Sequence, residues 1–465
     1  MDFRIESDSI GDKKVPKEVY YGVQTLRGAD NFKITGLRLN EEFIKSVVQI
    51  KKAAAITNLE IGELEVNIGK AIIKACDEVI AEKFNEDFII DPIQGGAGTS
   101  INMNANEVIA NRAIEILGYE KGNYRIVHPN DHVNMGQSTN DVIPTAGKIT
   151  ALRLVIKNLD KLKELSNAFS EKAEQFKDVI KMGRTQLQDA VPITLGQEFS
   201  AYSAVVKRDI ARIQKAQDEL KVVNIGGTAV GTGINADSRY VDRIVPRLSF
   251  VSGLNLKKAD DLIDGTQNLD SFASLSATIK TCALNLSKIA NDLRLMSSGP
   301  RTGLGEINLP AKQNGSSIMP GKVNPVIPEV INQIAFNIAG NDVAISMAVE
   351  AGQLELNAFE PVIFYNIFES IQTLTNGVDT FIKNCILDIT ANEEICSEYV
   401  NNSVGIVTAL CPYIGYAESA KIAKMAIKSG ESIKKVVLRE GVLKEKELNS
   451  IINPLKMTKP GIVGK

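Results

Sequence analysis

Apolar residues recur at intervals of three and four along much of the chain, the spacing of one face of an amphipathic helix. The seam is clearest at residues 266–298, where the two spacings alternate as they do in a coiled coil. Its apolar positions are Phe272, Leu275, Ile279, Cys282, Leu286, Ile289 and Leu293. The same pattern predicts helices at 41–60, 68–84, 102–117, 194–221, 326–350 and 354–388, and a long helix starting near Thr145. The chain is therefore expected to be mainly α-helical.

The predicted helices are long. A helix of roughly 25–35 residues spans about 40–50 Å at ~1.5 Å per residue, which is long for a compact monomer. We therefore predict a bundle of near-parallel helices that continues across subunits. Strands are expected only in the N-terminal part, where residues 19–27 indicate an extended segment followed by a turn. From about Glu393 the helices become shorter and are separated by glycine and proline.

Polar stretches interrupt the helical pattern at four places. They are Gly98-Thr99-Ser100, Gln137-Ser138-Thr139-Asn140, Arg184-Thr185-Gln186, and the stretch from Gly315 to Asn324 with Ser316, Ser317 and Lys322. Each offers hydroxyl or amide donors beside a predicted helix start, where unpaired backbone N–H groups and the helix dipole also favour an anion. Together they suit a substrate with one or two carboxylates. Taken singly, each stretch is equally typical of an N-cap or a turn.

Composition narrows the classes of partner. The chain has 465 residues and a formal net charge of −3, so no basic field attracts nucleic acid or an anionic membrane. Tryptophan is absent, which argues against a surface on which bases stack. The five cysteines show no CxxC spacing, which favours thiols in a reducing compartment. The N-terminus carries no apolar signal segment, and a cytoplasmic location is expected.

Three other kinds of site are disfavoured. Gly315 to Lys322 is one residue too long for a phosphate loop, and Val323 stands where that loop needs Ser or Thr. Gly231 to Ala236 loosely fits a dinucleotide fingerprint but lacks a strand-then-helix context. His128 and His132 are the only histidines, and Pro129 disfavours the regular helix that a zinc pair would need, so we predict capping or loop hydrogen bonds for them and no metal site.

The polar stretches, taken in order, resemble the aspartase/fumarase superfamily over essentially the whole chain. The most specific is Gly315-Ser316-Ser317-Ile318-Met319-Pro320-Gly321-Lys322-Val323-Asn324-Pro325, which is similar to the superfamily signature loop. The resemblance implies a subunit of three domains: a mixed, mostly helical domain at 1–140, a central long-helix bundle at 141–392 and a small helical domain at 393–465. It also implies a homotetramer whose multi-helix core and active sites are shared, each site by three subunits.

Within the superfamily, several stretches resemble the aspartate ammonia-lyase branch rather than class II fumarate hydratase. They are residues 20–27, 325–333 and 352–362. Gln186 stands where the hydratase branch usually has histidine. Gly136 departs from both branches, which usually carry a small side chain there.

The resemblance implies reversible deamination of L-aspartate to fumarate by anti elimination through an aci-carboxylate. Ser316 would be the base. The β-carboxylate would be held by Thr99, Ser138, Thr139 and Ser317, the α-carboxylate by Lys322, Asn324 and Thr185, and the amino group by Asn140 and Gln186. Glu329 would support Gln186. No cofactor is expected, although some aspartases respond to divalent cations. The alternatives that stay open are a fumarate hydratase and a non-catalytic helical scaffold.

Overall fold

The computed structural model describes residues 2–464, and most of them are helical. The helices before residue 385 are α1 (Val23–Asn31), α2 (Glu41–Ile61), α3 (Val66–Ile80), α4 (Thr99–Ile116), α5 (Thr139–Gln175), α6 (Leu195–Leu220), α7 (Ser238–Ser252), α8 (Leu262–Gln267), α9 (Asp270–Met296), α10 (Val326–Glu350) and α11 (Glu360–Asn384). The later ones are α12 (Glu393–Asn402), α13 (Cys411–Ile414), α14 (Tyr416–Ser429), α15 (Ile433–Arg439), α16 (Glu445–Ile451) and α17 (Pro454–Met457). The mainly α fold predicted from the apolar spacing is confirmed.

The helical periodicity predicted the long elements well. All seven apolar seam positions of α9 are buried. The helices predicted at 41–60, 194–221 and 326–350 agree with α2, α6 and α10 to within one residue at each end. None of the helices within residues 2–464 has the combination of length and apolar character that a membrane crossing requires.

The long helix α5 begins at Thr139, six residues before the predicted start near Thr145. The prediction treated Pro144 as a boundary, because proline has no N–H for the helix and clashes with the preceding turn. In the structure, Pro144 lies inside α5 and leaves the carbonyl of Asn140 without its helical partner. Asn224 Nδ2 donates to that carbonyl at 3.1 Å instead. A side chain distant in sequence thus lets the helix start earlier.

Helix α1 was also missed, since residues 19–27 were predicted as extended. Its N-cap, Gly22, has no capping side chain of its own. The buried carboxylate of Glu107 on α4 accepts the N–H groups of Gly22 at 2.8 Å, Gln24 at 2.9 Å and Thr25 at 3.0 Å. A carboxylate there satisfies the N-terminal N–H groups and complements the helix dipole. Because this cap comes from 80 residues away, local sequence does not reveal it.

Strands are not confined to the N-terminal part, as the sequence had predicted. The antiparallel hairpin β1 (Phe3–Asp8) and β2 (Gly11–Pro16) lies there, but a second hairpin is formed by β3 (Ile180–Thr185) and β4 (Gln188–Thr194). Two further pairs have two residues per strand: β5 (Val222–Val223) with β6 (Lys257–Lys258), and β7 (Ile307–Asn308) with β8 (Thr390–Ala391).

The chain divides into two compact units. One comprises Met1–Leu159, Ala211–Thr281 and Phe336–Leu374, and the other comprises Asp160–Ile210, Cys282–Ala335 and Thr375–Lys465. In the first, α2 packs against α3 and α7, and α3 packs against α4. In the second, the β3–β4 hairpin packs against the C-terminal helices. The apolar cluster between them includes Met182, Leu410, Ile422 and Val436. The three-domain division stays a prediction.

Candidate active site

The start of α5 presents three of the predicted site residues in consecutive positions. The Oγ of Ser138 accepts the N–H of Asn140 at 3.3 Å, as an N-cap side chain does. Asn102 Nδ2, from α4, donates to Thr139 Oγ1 at 3.2 Å. Asn140 Nδ2 donates to the carbonyl of Ala229 at 2.7 Å. Because the Thr139 hydroxyl accepts in this contact, its own proton is available to an anion.

A buried carboxylate anchors this segment from within. Asp141 accepts the N–H groups of Ser138 at 2.9 Å, Gly226 at 3.0 Å and Thr228 at 2.9 Å. Burial raises the pKa of Asp141 to about 6, and the three N–H donors oppose that rise. The backbone of the glycine-rich stretch at 226–233 thus packs against the start of α5 through Asp141.

Thr99 is exposed at the first position of α4. Its hydroxyl donates to the carbonyl of Gly96 at 2.7 Å. The hydroxyl would have to rotate away from that carbonyl to donate to a carboxylate. Gly98, the N-cap, has φ +82°, and a Cβ there would lie 2.9 Å from Cγ2 of Ile143, so glycine allows the start of α4 to approach α5.

Thr185 and Gln186 lie at the tip of the β3–β4 hairpin. Thr185 pairs with Gln188, leaving Gln186 and Leu187 as a two-residue turn. Both turn residues are exposed and have positive φ, +53° and +60°. Left-handed backbone costs a non-glycine residue roughly 1–2 kcal/mol, so the tip is strained. The Gln186 side chain lies at a turn whose positive φ glycine would adopt without strain.

A charged cluster that no sequence motif indicates supports the hairpin. Arg184 donates through Nη1 to Oε1 of the fully buried Glu306 at 2.8 Å. Lys181 lies 3.2 Å from the other oxygen of Glu306. These partners are more than 100 residues apart in sequence, and Glu306 stands in no recognisable motif. The cluster fixes the strand that carries Thr185.

The signature loop is closed on itself by two hydrogen bonds. The N–H of Gly315 donates to the carbonyl of Lys322 at 2.7 Å, and Asn324 Nδ2 donates to the carbonyl of Gly315 at 2.7 Å. Within this loop the Oγ of Ser316 accepts the N–H of Ile318 at 3.2 Å and that of Met319 at 2.9 Å. Two N–H donors on one hydroxyl oxygen stabilise negative charge on that oxygen.

Other predicted residues of this loop lie at its surface. Ser317 and Lys322 are exposed, and Asn324 is half-buried. Glu329 is half-buried in the first turn of α10. Within residues 2–464 no hydrogen bond joins Glu329 to Gln186, so its supporting role stays a prediction.

The two histidines make loop contacts, as predicted. His132 Nδ1 accepts the N–H of His128 at 2.8 Å, and His128 Nδ1 accepts the N–H groups of Asn130 and Asp131, each at 3.2 Å. Burial lowers the pKa of His132. In the described part of the chain no group of three or more His, Cys, Asp or Glu is placed to hold a metal ion.

Gly136, the departure from the family pattern, has φ +72°, and a Cβ at this position would lie 3.3 Å from the ring of Tyr240. Glycine adopts this backbone without strain, whereas another side chain would crowd the ring.

The candidate residues fall in two groups. Thr99, Ser138, Thr139 and Asn140 belong to one compact unit, and Thr185, Gln186, Ser316, Ser317, Lys322, Asn324 and Glu329 belong to the other. Each group is rich in donors, and the second contributes the lysine.

Known proteins that are similar to this chain are lyases. A family described as Lyase matches residues 11–340, and one described as Fumarase C C-terminus matches residues 406–459. The chain is 55% identical to a Bacillus sp. protein named aspartate ammonia-lyase, covering 100% of this chain and 99% of that one. It is 47% identical to the Escherichia coli K12 protein of the same name, covering 99% and 97%.

Two solved structures resemble the fold over nearly its whole length. A Brucella melitensis fumarate lyase:delta crystallin bound to cobalt has a TM-score of 0.96 at 47% identity, covering 99% of this chain and 100% of that one. A class II fumarase from Schistosoma mansoni has a TM-score of 0.95 at 36% identity, covering 98% and 99%. The chain therefore belongs to the aspartase/fumarase superfamily of lyases.

Proposed function

We propose that this protein is an aspartate ammonia-lyase, a carbon–nitrogen lyase that converts L-aspartate to fumarate and ammonia reversibly. The observation that carries the proposal is the environment of Ser316, whose hydroxyl oxygen faces two backbone N–H groups in the signature loop. Relatives with this activity in their names, 47–55% identical over their whole length, support it.

The difficult step is removal of a proton from the carbon beside the β-carboxylate. A serine hydroxyl is too weak a base unless its oxyanion is stabilised. The N–H groups of Ile318 and Met319 act on that oxyanion, and the nearby ammonium of Lys322 adds positive charge. Ser316 then takes the proton, the electron pair moves onto the β-carboxylate, and the aci-carboxylate forms. Its collapse breaks the C–N bond on the opposite face and releases ammonia.

Negative charge that develops on the β-carboxylate is stabilised by hydrogen-bond donors held in place before the reaction. Thr139 and Ser138, at the positive end of the α5 dipole, supply hydroxyls for it, with Thr99 and Ser317. Each donor aimed at such charge contributes roughly 3–4 kcal/mol to the transition state. Lys322, Asn324 and Thr185 hold the α-carboxylate. Asn140 and Gln186 face the amino group, and Glu329 supports Gln186.

We also propose a homotetramer in which each site is built by three subunits. An exposed apolar stripe on α10 supports this: Phe336, Val343 and Met347 are 67%, 59% and 68% exposed. Val343 and Met347 lie seven and eleven positions after Phe336, so the three residues share one helix face. Such a stripe is typical of a surface that another subunit covers.

Mixing two inactive variants tests the shared site. Ser316→Ala and Thr139→Val subunits, denatured and refolded together, regain part of the activity if the two residues of one site come from different chains. Mixed tetramers that stay as inactive as each parent, while forming normally by light scattering, contradict a shared site.

The proposed chemistry uses acid–base groups and needs no organic cofactor. Activation by a divalent cation and a cytoplasmic location remain predictions. The first is checked by comparing rates with added Mg²⁺ and with a chelator.

Ultraviolet absorbance of fumarate tests the proposed function directly. The protein is incubated separately with L-aspartate and with L-malate. Fumarate from aspartate supports the ammonia-lyase. Fumarate from malate and not from aspartate supports a hydratase, the activity that the class II fumarase neighbour has in its name. Fumarate from neither contradicts both and leaves a scaffold or another substrate.

A further inference from the structure

A buried lysine lies next to the start of α5. Lys51 of α2 is fully buried, and its Nζ donates to Asn102 Oδ1 at 2.6 Å, Asn134 Oδ1 at 2.7 Å and Gln137 Oε1 at 3.0 Å. An ammonium has three N–H bonds, and three acceptors therefore satisfy it completely. Burying a charge is costly unless it is hydrogen-bonded. The Lys51 ammonium therefore stabilises the arrangement in which all three amide oxygens point toward it.

Each of these amides leads to the segment that carries Ser138 and Thr139. Asn102 Nδ2 donates to Thr139 Oγ1 at 3.2 Å. Asn134 Nδ2 donates to the carbonyl of Gln137 at 3.1 Å, and Gln137 immediately precedes Ser138. The contacts connect the ammonium of Lys51 to the Thr139 hydroxyl through Asn102, and to the backbone next to Ser138 through Asn134 and Gln137.

The charge of Lys51 is not cancelled by direct contact. In the described ranges no carboxylate lies within salt-bridge distance of its Nζ, since all three acceptors are neutral amide oxygens. Asp141 attracts the ammonium from farther away, and burial lowers the pKa of Lys51 to about 7. The three hydrogen bonds hold the Lys51 side chain beside a segment proposed to bind an anion.

We propose that Lys51 is a positioning residue, which presets the Ser138 and Thr139 hydroxyls for the β-carboxylate of the substrate. It acts through Asn102, Asn134 and Gln137 and does not touch the substrate. The proposal rests on the proposed function for its kinetic consequence, but the ordering of the segment follows from the contacts alone. Without the ammonium, the amide oxygens of Asn102, Asn134 and Gln137 each lose a charged donor and the segment gains freedom, which weakens donors that catalysis requires to be preorganised.

The matched pair of variants is Lys51→Met and Lys52→Met. Lys52 is the next residue on α2, partly exposed, and its Nζ contacts Asp77 Oδ1 at 2.5 Å. Both substitutions replace an ammonium with an apolar side chain of similar length in the same helix. Only the first removes the amide cluster's donor.

Amide hydrogen exchange of residues 134–142 is the first readout, and it needs no substrate. We expect faster exchange there in Lys51→Met and unchanged exchange in Lys52→Met. Equal exchange in wild type and both variants overturns the proposal, whether or not the protein acts on aspartate. A wild-type protein that leaves aspartate untouched, yet shows the exchange difference, contradicts the proposed function and the kinetic consequence but not the ordering.

Kinetics is the second readout. We expect Lys51→Met to lower kcat by roughly 10–100-fold, a loss on the scale of one weakened transition-state donor. The primary deuterium isotope effect measured with aspartate deuterated at the β-carbon should rise, because proton removal becomes more rate-limiting. A smaller active fraction lowers the apparent kcat but leaves the isotope effect unchanged, so that result would overturn a positioning role.

A second variant keeps the proposal testable if Lys51→Met does not fold. Asn102→Leu leaves the ammonium two acceptors and removes the donor to Thr139, together with the hydrogen bond from Asn102 to Asn134 Oδ1. We expect it to fold and to show the same direction of change in the isotope effect. Wild-type kinetics in folded Asn102→Leu would show that the path through Thr139 carries no catalytic positioning.

Discussion

The backbone N–H of Met319 donates to the Oγ of Ser316 at 2.9 Å, inside a loop whose ends are joined by backbone contact. This contact makes a weak side-chain acid into a candidate base, since the donor stabilises the oxyanion more than the hydroxyl. The same loop places Lys322 close by in sequence. The proposed base and the N–H groups that would activate it thus come from one short segment.

Replacing Ser316 by alanine should remove the base and leave the loop closed, because its closure uses Gly315, Lys322 and Asn324. We expect kcat to fall by about 10²–10⁴-fold, the usual contribution of a positioned general base. Stopped assays of fumarate formation measure this. Ser200→Ala, at an exposed position of α6, is the control and should keep wild-type turnover. Near wild-type turnover in Ser316→Ala would exclude Ser316 as the base.

Replacing Lys322 by methionine should weaken substrate binding. Removing a charge-assisted hydrogen bond costs about 1.5–3 kcal/mol, so KM for aspartate should rise roughly 10–150-fold. Lys312→Met is the matched control, because Lys312 precedes the same loop and pairs instead with Asp388 at 3.4 Å. A KM unchanged in Lys322→Met, or raised equally in both variants, would contradict a specific carboxylate contact.

Glycine substitutions at the strained hairpin tip distinguish an effect on stability from an effect on activity. Gln186→Gly and Leu187→Gly both relieve a left-handed backbone, and each should change the free energy of unfolding by about 0–1 kcal/mol in the stabilising direction, after the entropy cost of glycine. Leu187→Gly should keep its activity. Gln186→Gly should lower kcat/KM for aspartate, because it also removes the amide proposed to face the amino group. Equal activity of both variants would remove Gln186 from the site.

Glu360, the first residue of α11, predicts a pH dependence of stability. Its side chain is fully buried, and neither carboxyl oxygen has a hydrogen-bond partner among the described residues. Burial raises its pKa well above the usual value, although the charge of Lys148 on α5 opposes this. An unfolded chain ionises this group at lower pH than the folded chain, so its contribution to stability is full below the unfolded pKa and is lost as pH rises toward the folded pKa.

The neutral variant Glu360→Gln should therefore be more stable than wild type at pH 8 and nearly equal to it at pH 4. Thermal unfolding at the two pH values measures the difference. Asp379→Asn is a control, because Asp379 is ion-paired with Lys383 at 2.7 Å and its pKa is lowered, so its substitution should destabilise at pH 8. If Glu360→Gln were destabilising at pH 8, the carboxylate would have a partner from another subunit.

Local sequence patterns determined most of the helices and the four polar stretches. Helical periodicity depends on residues three and four apart, so it predicted α2, α6, α9 and α10 closely. The signature loop from Gly315 to Asn324 and the stretches at 98–100, 137–140 and 184–186 were visible for the same reason, since each is continuous in sequence. Their resemblance to one superfamily led to the function that the relatives' names support.

Only the tertiary structure decided the features that depend on distant partners. Helix α1 begins where Glu107 caps it, and α5 begins early because Asn224 binds the carbonyl that Pro144 leaves unpaired. Lys51 and Glu306 gave no signal in the sequence, because a single buried charge has no pattern of its own. A hydrogen bond between residues 50 to 120 positions apart forms only when packing brings them together, and local periodicity carries no information about that packing.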